Sequence, residues 1–164
     1  DVRPYEGKTL YKSLMFRDPL NTTGYPYVNV YNAKGEDNGE RIYLAVSEDG
    51  EHWERYGEHA VLDLISNGQG TTVGDPQIIL IGDIYVMLYY GSRNCNAAYD
   101  SFACSRDLRS WNVWDGEPLV KSEHPFENGH AHKPWFIRYN GKNYHFYCAV
   151  NDQNERFIAL AVSE

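Results

Sequence analysis

Cysteine is scarce in this sequence. The 164 residues include only three, Cys95, Cys104 and Cys148, and three thiols cannot all pair within one chain. Cys104 and Cys148 fall in predicted β-strands, where a free cysteine behaves as a small buried hydrophobe. Cys95 falls in a predicted loop, and at least one of the three thiols is therefore expected to be free.

Basic residues and long apolar runs are also lacking. Lys and Arg number 15 against 23 Asp and Glu, which gives a formal net charge of −8. A protein that binds nucleic acid needs a basic face to neutralise phosphates, so this composition argues against a nucleic-acid partner. No apolar run approaches the roughly 20 residues of a membrane-spanning helix, and we expect no membrane partner.

Helical periodicity is missing too, and a repeat takes its place. Ser47, Ser105 and Ser163 are each 58 residues apart, and the first two open a Ser-x-Asp-x-x-x-Trp pattern. The pentapeptide Leu-Ala-Val-Ser-Glu occurs at residues 44–48 and again at residues 160–164. Pro76 and Pro134 keep the same spacing. Self-similarity at a fixed period of this length indicates a repeat architecture.

The repeats consist of short β-type runs, which favours the blade of a propeller over a helical solenoid unit. The fullest copy predicts strands at residues 77–81, 85–90 and 101–105, with an irregular outer edge at residues 113–120. The sequence therefore predicts an all-β fold, a β-propeller of which this chain covers about two and a half to three blades. The predicted blades span about residues 17–64, 73–122 and 131–164, and the last is incomplete.

These blades do not complete a ring, since propellers usually have four to eight blades. The chain begins at Asp1 without a methionine and stops inside a repeat. The explanations that remain open are a truncated or processed piece, a stretch of a longer protein, and half-rings that complete each other. Unpaired strand edges favour pairing with another chain. We expect either a homo-oligomer or association with the rest of the propeller.

Polar side chains are predicted to meet on one face of the propeller. The heads of the inner strands and the loops that join the second to the third strand of each blade all lie at the same mouth of the central channel. This face gathers the following residues: Asp75, Arg93, Asn94, His130, His132, Lys133, Asn151 and Asp152. The opposite face presents mostly turns.

Several of these runs resemble a known group of enzymes. They are Gly-Asp-Pro-Gln-Ile-Ile at residues 74–79, Tyr-Val-Met-Leu-Tyr-Tyr-Gly at 85–91, Phe-Ala-Cys-Ser-Arg-Asp-Leu-x-x-Trp at 102–111 and Ala-His-Lys-Pro-Trp at 131–135, followed by Tyr-His-Phe-Tyr at 144–147. Together they resemble glycoside hydrolases of the five-bladed β-propeller superfamily, related to families 43 and 117. The resemblance covers about half of a five-bladed ring. It implies cleavage of glycosidic bonds by carboxyl groups at the inner-strand heads.

The resemblance implies catalytic roles for Asp75 and His132. Asp75 matches an Asp-Pro position of the family pattern, at which a carboxylate acts as base or orients the acid. The acid position, two residues before Pro134, is occupied by His132, where the family 43 pattern has a glutamate. Family 117 offers a precedent for a histidine, and an imidazolium with a pKa near the working pH can donate a proton. A contact from His132 to a sugar hydroxyl or to a metal ion stays open.

The remaining candidates are assigned to substrate binding. His130 and His132 form a His-x-His pair that suits a metal ion, but no third ligand is evident, and no cofactor is expected. Lys133 can neutralise an anionic substrate or pair with Asp75. Trp135 is a candidate sugar platform, although strand packing is the simpler interpretation.

Three further assignments concern Arg93, Asp18 and the two Asp residues of the Ser-x-Asp-x-x-x-Trp patterns. Arg93 would contact substrate, or converge with Lys133 on phosphate in a phosphorylase. Asp18 precedes a proline 57 residues before Asp75 does, and it is a candidate for a missing base. Asp49 and Asp107 belong to the Ser-x-Asp-x-x-x-Trp pattern, whose Ser and Asp are expected to bind turn backbone while Trp packs between sheets.

Three functions remain open at this point. The first is a glycoside hydrolase, or part of one, acting on plant or algal polysaccharides or their oligosaccharides, in a bacterial protein that is secreted or periplasmic. The second is a carbohydrate-binding propeller without catalysis. The third is a glycoside phosphorylase of similar fold.

Overall fold

The computed structural model describes residues 4–65, 70, 72–92 and 97–163 of the chain. These residues form strands and two short 3-10 helices, Pro4–Glu6 and Pro125–Glu127. The strands are β1 (Thr9–Arg17), β2 (Tyr27–Lys34), β3 (Glu40–Ser47), β4 (Glu54–Arg55), β5 (Thr72–Ile81), β6 (Ile84–Ser92), β7 (Tyr99–Ser105), β8 (Asn112–Val113), β9 (His130–Tyr139), β10 (Lys142–Val150) and β11 (Arg156–Val162). Among the described residues, no helix has the length and apolar character needed to cross a membrane.

The strands form three successive antiparallel blades, as the repeat predicts. Blade 1 contains β1 to β4, blade 2 contains β5 to β8 and blade 3 contains β9 to β11. The inner strands contact one another in the order β1, β5 and β9. Pro76 and Pro134 occupy matching places near the heads of β5 and β9. The fold is thus the predicted partial β-propeller.

The first blade differs from the prediction at its start. The predicted blade begins near residue 17 and has no inner strand, whereas β1 runs from Thr9 to Arg17 and pairs with the whole of β2. The sequence signal was weak because the apolar run of β1 is short, at residues 14–16, and lacks the preceding proline that marks the inner strand of blade 2. Blade 1 is therefore a complete four-stranded blade.

The core lies between the blades, where the faces of neighbouring sheets pack together. Its largest cluster joins blades 1 and 2 and contains Val28, Val30, Ile42, Leu44, Val46, Leu62, Leu64, Val73, Ile78, Tyr85, Met87, Tyr89, Ala103 and Leu108. A smaller cluster of Ala131, Tyr147 and Ala149 belongs to blade 3. This packing holds the inner-strand heads of neighbouring blades at one level, and the candidate site is built there.

Both Ser-x-Asp-x-x-x-Trp patterns form the structural turns that were predicted. Oδ1 of Asp49 accepts hydrogen bonds from the backbone N–H groups of Glu51 and His52, both at 2.8 Å. Oδ1 of Asp107 likewise accepts from the N–H groups of Arg109 and Ser110, at 2.8 and 2.7 Å. Each tryptophan closes its turn through its indole N–H, which donates to the carbonyl of Gly50 or Leu108. These carboxylates serve the fold.

Candidate functional site

Each inner strand has a bulge at the same position near its head. Lys12 in β1, Asp75 in β5 and Lys133 in β9 have left-handed backbones with φ of 22°, 49° and 69°. The strand pairing breaks register at each of these places. Backbone strain of this kind costs about 1–3 kcal/mol per residue and is concentrated at functional sites. The three bulges turn side chains from three blades toward one place.

That place is an ion cluster centred on Asp75. Its side chain is buried, and Oδ2 lies 3.0 Å from the ammonium nitrogen of Lys133 and 3.7 Å from that of Lys12. These contacts are ion pairs without the alignment of a hydrogen bond. The lysines are 38% and 60% exposed, so each keeps part of its hydration. The site therefore holds one buried carboxylate with a cation from each neighbouring blade beside it.

A polar cluster from blades 1 and 2 supports Asp75 from behind. The backbone N–H of Asp75 donates to Oδ1 of the buried Asn32 at 3.2 Å. Oε2 of Glu40 accepts hydrogen bonds from Nδ2 of Asn32 at 3.3 Å and from the hydroxyl of Tyr90 at 2.8 Å. A Cβ atom on Gly74 would lie 2.8 Å from Asn32 Nδ2 and 2.9 Å from Tyr90 Cε1. Glycine at this position therefore permits the close approach.

The two histidines lie beside the ion cluster, and burial lowers the pKa of both. Burial, with the charge of Lys133, lowers the pKa of His132 to about 4, so its ring is neutral at neutral pH. Burial also lowers the pKa of His130, whose Nδ1 accepts the backbone N–H of Ala98 at 3.0 Å. The predicted role of His132 as an imidazolium acid does not fit this charge state. A neutral ring suits a hydrogen bond to a sugar hydroxyl, and Nδ1 of His132 is buried without a partner.

The other predicted residues lie at different places. Lys133 belongs to the ion cluster, whereas Trp135 lies beyond the bulge of β9 and is 46% exposed. Arg93 lies outside the described residues, and so does Asn94. Asn151 accepts the N–H groups of Gln153 and Glu155 and shapes its own loop.

The prediction that Asp18 is a candidate for the missing catalytic base is wrong. Asp18 follows β1 at the end opposite the bulge, where its carboxylate accepts the backbone N–H groups of Leu20 and Thr22 and the hydroxyl of Tyr85. Its Asp-Pro dipeptide thus holds the turn between β1 and β2. The position equivalent to Asp75 in blade 1 is Lys12.

Comparison with known proteins identifies the family. A family model described as beta-1,4-mannooligosaccharide phosphorylase matches residues 21–164. The chain belongs to glycoside hydrolase family 130. A search of curated proteins found no significant match.

Solved structures of similar fold match most of this chain but less than half of their own length. A structure described as a glycoside hydrolase is 37% identical, with a TM-score of 0.89, and the match covers 99% of this chain and 48% of that one. Beta-1,2-mannobiose phosphorylase from Listeria innocua is 18% identical over 98% of this chain and 42% of its own, with a TM-score of 0.72. A family 117 glycoside hydrolase from Zobellia galactanivorans is 17% identical over 84% of this chain and 48% of its own, with a TM-score of 0.66. The chain therefore spans about half the length of these structures.

The family 130 chain also has a buried acid–base pair that sequence reasoning missed. Asp100 heads β7 and is fully buried, and its Oδ2 lies 2.9 Å from Nε2 of His145 on β10. Burial raises the pKa of Asp100 to about 7, against the opposing effect of His145. Tyr147, two residues along β10, donates to the buried Glu127 at 2.7 Å. This polar layer joins blades 2 and 3 behind the mouth.

Within the residues that the structure describes, no three His, Cys, Asp or Glu side chains lie close enough together to hold an ion. His130 and His132 pack edge to face, with ring centroids 5.4 Å apart.

Replacement of Asp100 by Asn is expected to change the pH dependence of stability. The folded state keeps the Asp100 proton up to about pH 7, against an ordinary value near 4, so the free energy of unfolding of the wild type falls as pH rises between about 4 and 7. Asp75, His145 and the backbone N–H of Lys133 act on the same carboxyl. Each pKa unit is worth about 1.4 kcal/mol, so the whole effect is a few kcal/mol at most. An amide does not ionise and avoids this loss.

Denaturant unfolding at pH 5 and pH 8 measures the effect. The difference in the free energy of unfolding between the Asn variant and the wild type should be more favourable to the variant at pH 8 than at pH 5. Equal pH profiles of the two proteins would contradict a buried Asp100 that loses its proton near neutral pH.

Proposed function

We propose that the protein containing this chain cleaves glycosidic bonds by hydrolysis, with Asp75 as the general base. Membership of family 130 supports action on glycosides, and a structure 37% identical over 99% of the chain is described as a glycoside hydrolase. The observation that carries the proposal is the position of Asp75. It is a buried carboxylate on a strained bulge at the head of an inner strand, flanked by cations from both neighbouring blades.

The chemistry requires two groups. A base removes a proton from water while the water oxygen bonds to the anomeric carbon, and an acid protonates the leaving oxygen as the old bond breaks. Asp75, as a carboxylate between two ammonium groups, suits the first role. His132, neutral at neutral pH, suits a contact to a sugar hydroxyl. We assign the acid to a group outside these three blades, because the chain spans only 48% of the 37% identical structure that is described as a glycoside hydrolase.

Phosphorolysis is the second candidate, and one feature of the site favours it. Lys12 and Lys133 place two ammonium groups at the mouth, where they suit a phosphate nucleophile. The family description and the similar fold of the Listeria innocua phosphorylase point the same way. Phosphate is already an anion and attacks without a base, so Asp75 would have a different role. A binding propeller without catalysis is the third candidate.

Product analysis in the presence and absence of inorganic phosphate distinguishes these functions. The intact parent protein should release free sugar from plant or algal oligosaccharides without phosphate, and oxygen-18 from labelled water should enter the new hydroxyl. A sugar 1-phosphate that forms only when phosphate is present would contradict hydrolysis and indicate phosphorolysis. Saturable binding of these sugars without turnover in either condition would indicate the binding propeller.

A further inference from the structure

Tyr90 occupies a repeat position at which the three blades have three different residues. Asn32, Tyr90 and Cys148 are each 58 residues apart, and each pairs with the residue just before the bulge of its own blade: Tyr11, Gly74 or His132. An amide, a phenol and a thiol thus take equivalent places around the mouth. The role of Tyr90 must therefore be read from its own contacts.

The ring of Tyr90 contacts three parts of the candidate site. It covers Gly74, next to Asp75, so closely that a Cβ atom there would lie 2.9 Å from Cε1. The His132 ring packs against it edge to face, with centroids 5.6 Å apart. The ammonium nitrogen of Lys133 lies 5.8 Å from the ring centroid, within the range of a cation–π contact.

The hydroxyl of Tyr90 fixes the ring. It donates to Oε2 of Glu40 at 2.8 Å, across the junction between blades 1 and 2. Burial raises the pKa of Tyr90, and the charge of Glu40 raises it further, so the hydroxyl stays protonated and always acts as the donor. Asn32 donates to the same Glu40 oxygen and accepts the N–H of Asp75. Glu40 thereby anchors both neighbours of the Asp75 bulge.

We propose that Tyr90, anchored by Glu40, is a positioning residue that sets the places of Asp75, His132 and Lys133 at the mouth. It acts through these side chains and not on the reacting atoms. The inference rests on the proposed function of Asp75, but it concerns residues that sequence reasoning had left out. A misplacement of about 1 Å in such a group can cost about a hundredfold in rate.

Two tyrosines of β6 provide a matched test in the intact parent protein. Tyr90 and Tyr85 each donate a hydroxyl hydrogen bond to a carboxylate, Glu40 at the mouth and Asp18 at the opposite end. Tyr90→Phe should lower kcat about tenfold, as expected for the loss of one hydrogen bond to a charged group, with little change in KM. Tyr85→Phe should lower the melting temperature similarly and leave kcat unchanged. Equal kcat values for the two variants would overturn the proposal.

Glu40 supplies a second test, in which two variants of the same residue are compared. Glu40→Gln keeps an oxygen that accepts from Tyr90 and Asn32, whereas Glu40→Ala removes it. The Gln variant should therefore keep most of the wild-type kcat and the Ala variant should lose about tenfold or more. A Gln variant as inactive as the Ala variant would overturn the positioning role, because the charge of Glu40 would then be essential.

Asp75→Asn in the same assay separates the two proposals. If this variant is inactive while Tyr90→Phe and Glu40→Ala keep wild-type rates, the positioning role fails and the function of Asp75 stands. If Asp75→Asn is active while Tyr90→Phe is slow, the role of Asp75 fails, and Tyr90 must then act on another group, which also overturns the proposal as stated.

Discussion

Replacement of Asp75 by Asn is expected to lower the rate of glycosidic bond cleavage about a hundredfold or more and to leave the fold intact. An amide has nearly the same size as a carboxylate, but it cannot take a proton from water, and general acid–base help is worth about 10²–10⁴ in rate. The backbone contact to Asn32 does not use the carboxylate and should survive. Lys12 and Lys133 lose a counter-charge, at small cost because both are partly exposed. Steady-state kinetics and circular dichroism of the intact parent protein measure the two effects.

Asp18→Asn is the matched control, because Asp18 also precedes a proline but lies at the other end of the blades. It should lower stability by about 1–3 kcal/mol through weaker bonds to backbone N–H groups and keep the wild-type kcat/KM. An Asp75→Asn protein that retains most of the wild-type rate would remove Asp75 from the mechanism, and a loss of activity in Asp18→Asn at intact fold would show that the assay is not specific to the mouth.

The architecture of the chain could be predicted because the sequence repeat indicates where the strands of each blade lie. The spacing of 58 residues placed Pro76 and Pro134 at matching strand heads, and the turns at Asp49 and Asp107 followed from short-range hydrogen bonding. β1 escaped detection because Lys12 is followed by Ser13, whereas the equivalent Asp75 and Lys133 are each followed by a proline, and because the spacing from Lys12 to Asp75 is not 58 residues. The bulge residues, Lys12, Asp75 and Lys133, are not all of one type, so the identity of this residue does not mark a strand.

The candidate site was harder to predict because it depends on contacts between blades. Asp18 resembled Asp75 in local sequence, but equivalence is decided by strand register, which the dipeptide does not show. The neutral state of His132 arises from burial and from Lys133, and burial is a property of the assembled sheets. The location of Asn32 and Tyr90 beside the site could have been predicted, since the repeat places both at the mouth ends of second strands.

Blade 3 presents an open apolar face, made of the side chains that point away from blade 2. This open face contains Trp135, Ile137, Tyr139, Tyr144, Phe146, Cys148, Ile158, Leu160 and Val162. Trp135, Cys148 and Ile158 lie 58 residues after Gln77, Tyr90 and Asp100 in the sequence. They therefore occupy the positions of blade 3 that are equivalent to those three residues of blade 2. Blade 3 covers those three residues: Gln77 exchanges hydrogen bonds with the backbone of Phe136, Tyr90 packs on His132 and Asp100 pairs with His145. We therefore propose that a further blade covers the open face in the same way.

The isolated 164-residue chain is accordingly expected to associate with a second copy through this face. Ile158 is 87% exposed and lies on the edge strand β11, whose unpaired backbone adds a template for pairing. Light scattering should show a mass that rises with concentration, and Ile158→Glu should shift the chain toward the monomer because a charge is costly to bury. Leu119→Glu, at an exposed leucine outside the face, is the control and should not change the mass. A concentration-independent monomer that unfolds cooperatively would show that the open face is stable in water without a partner.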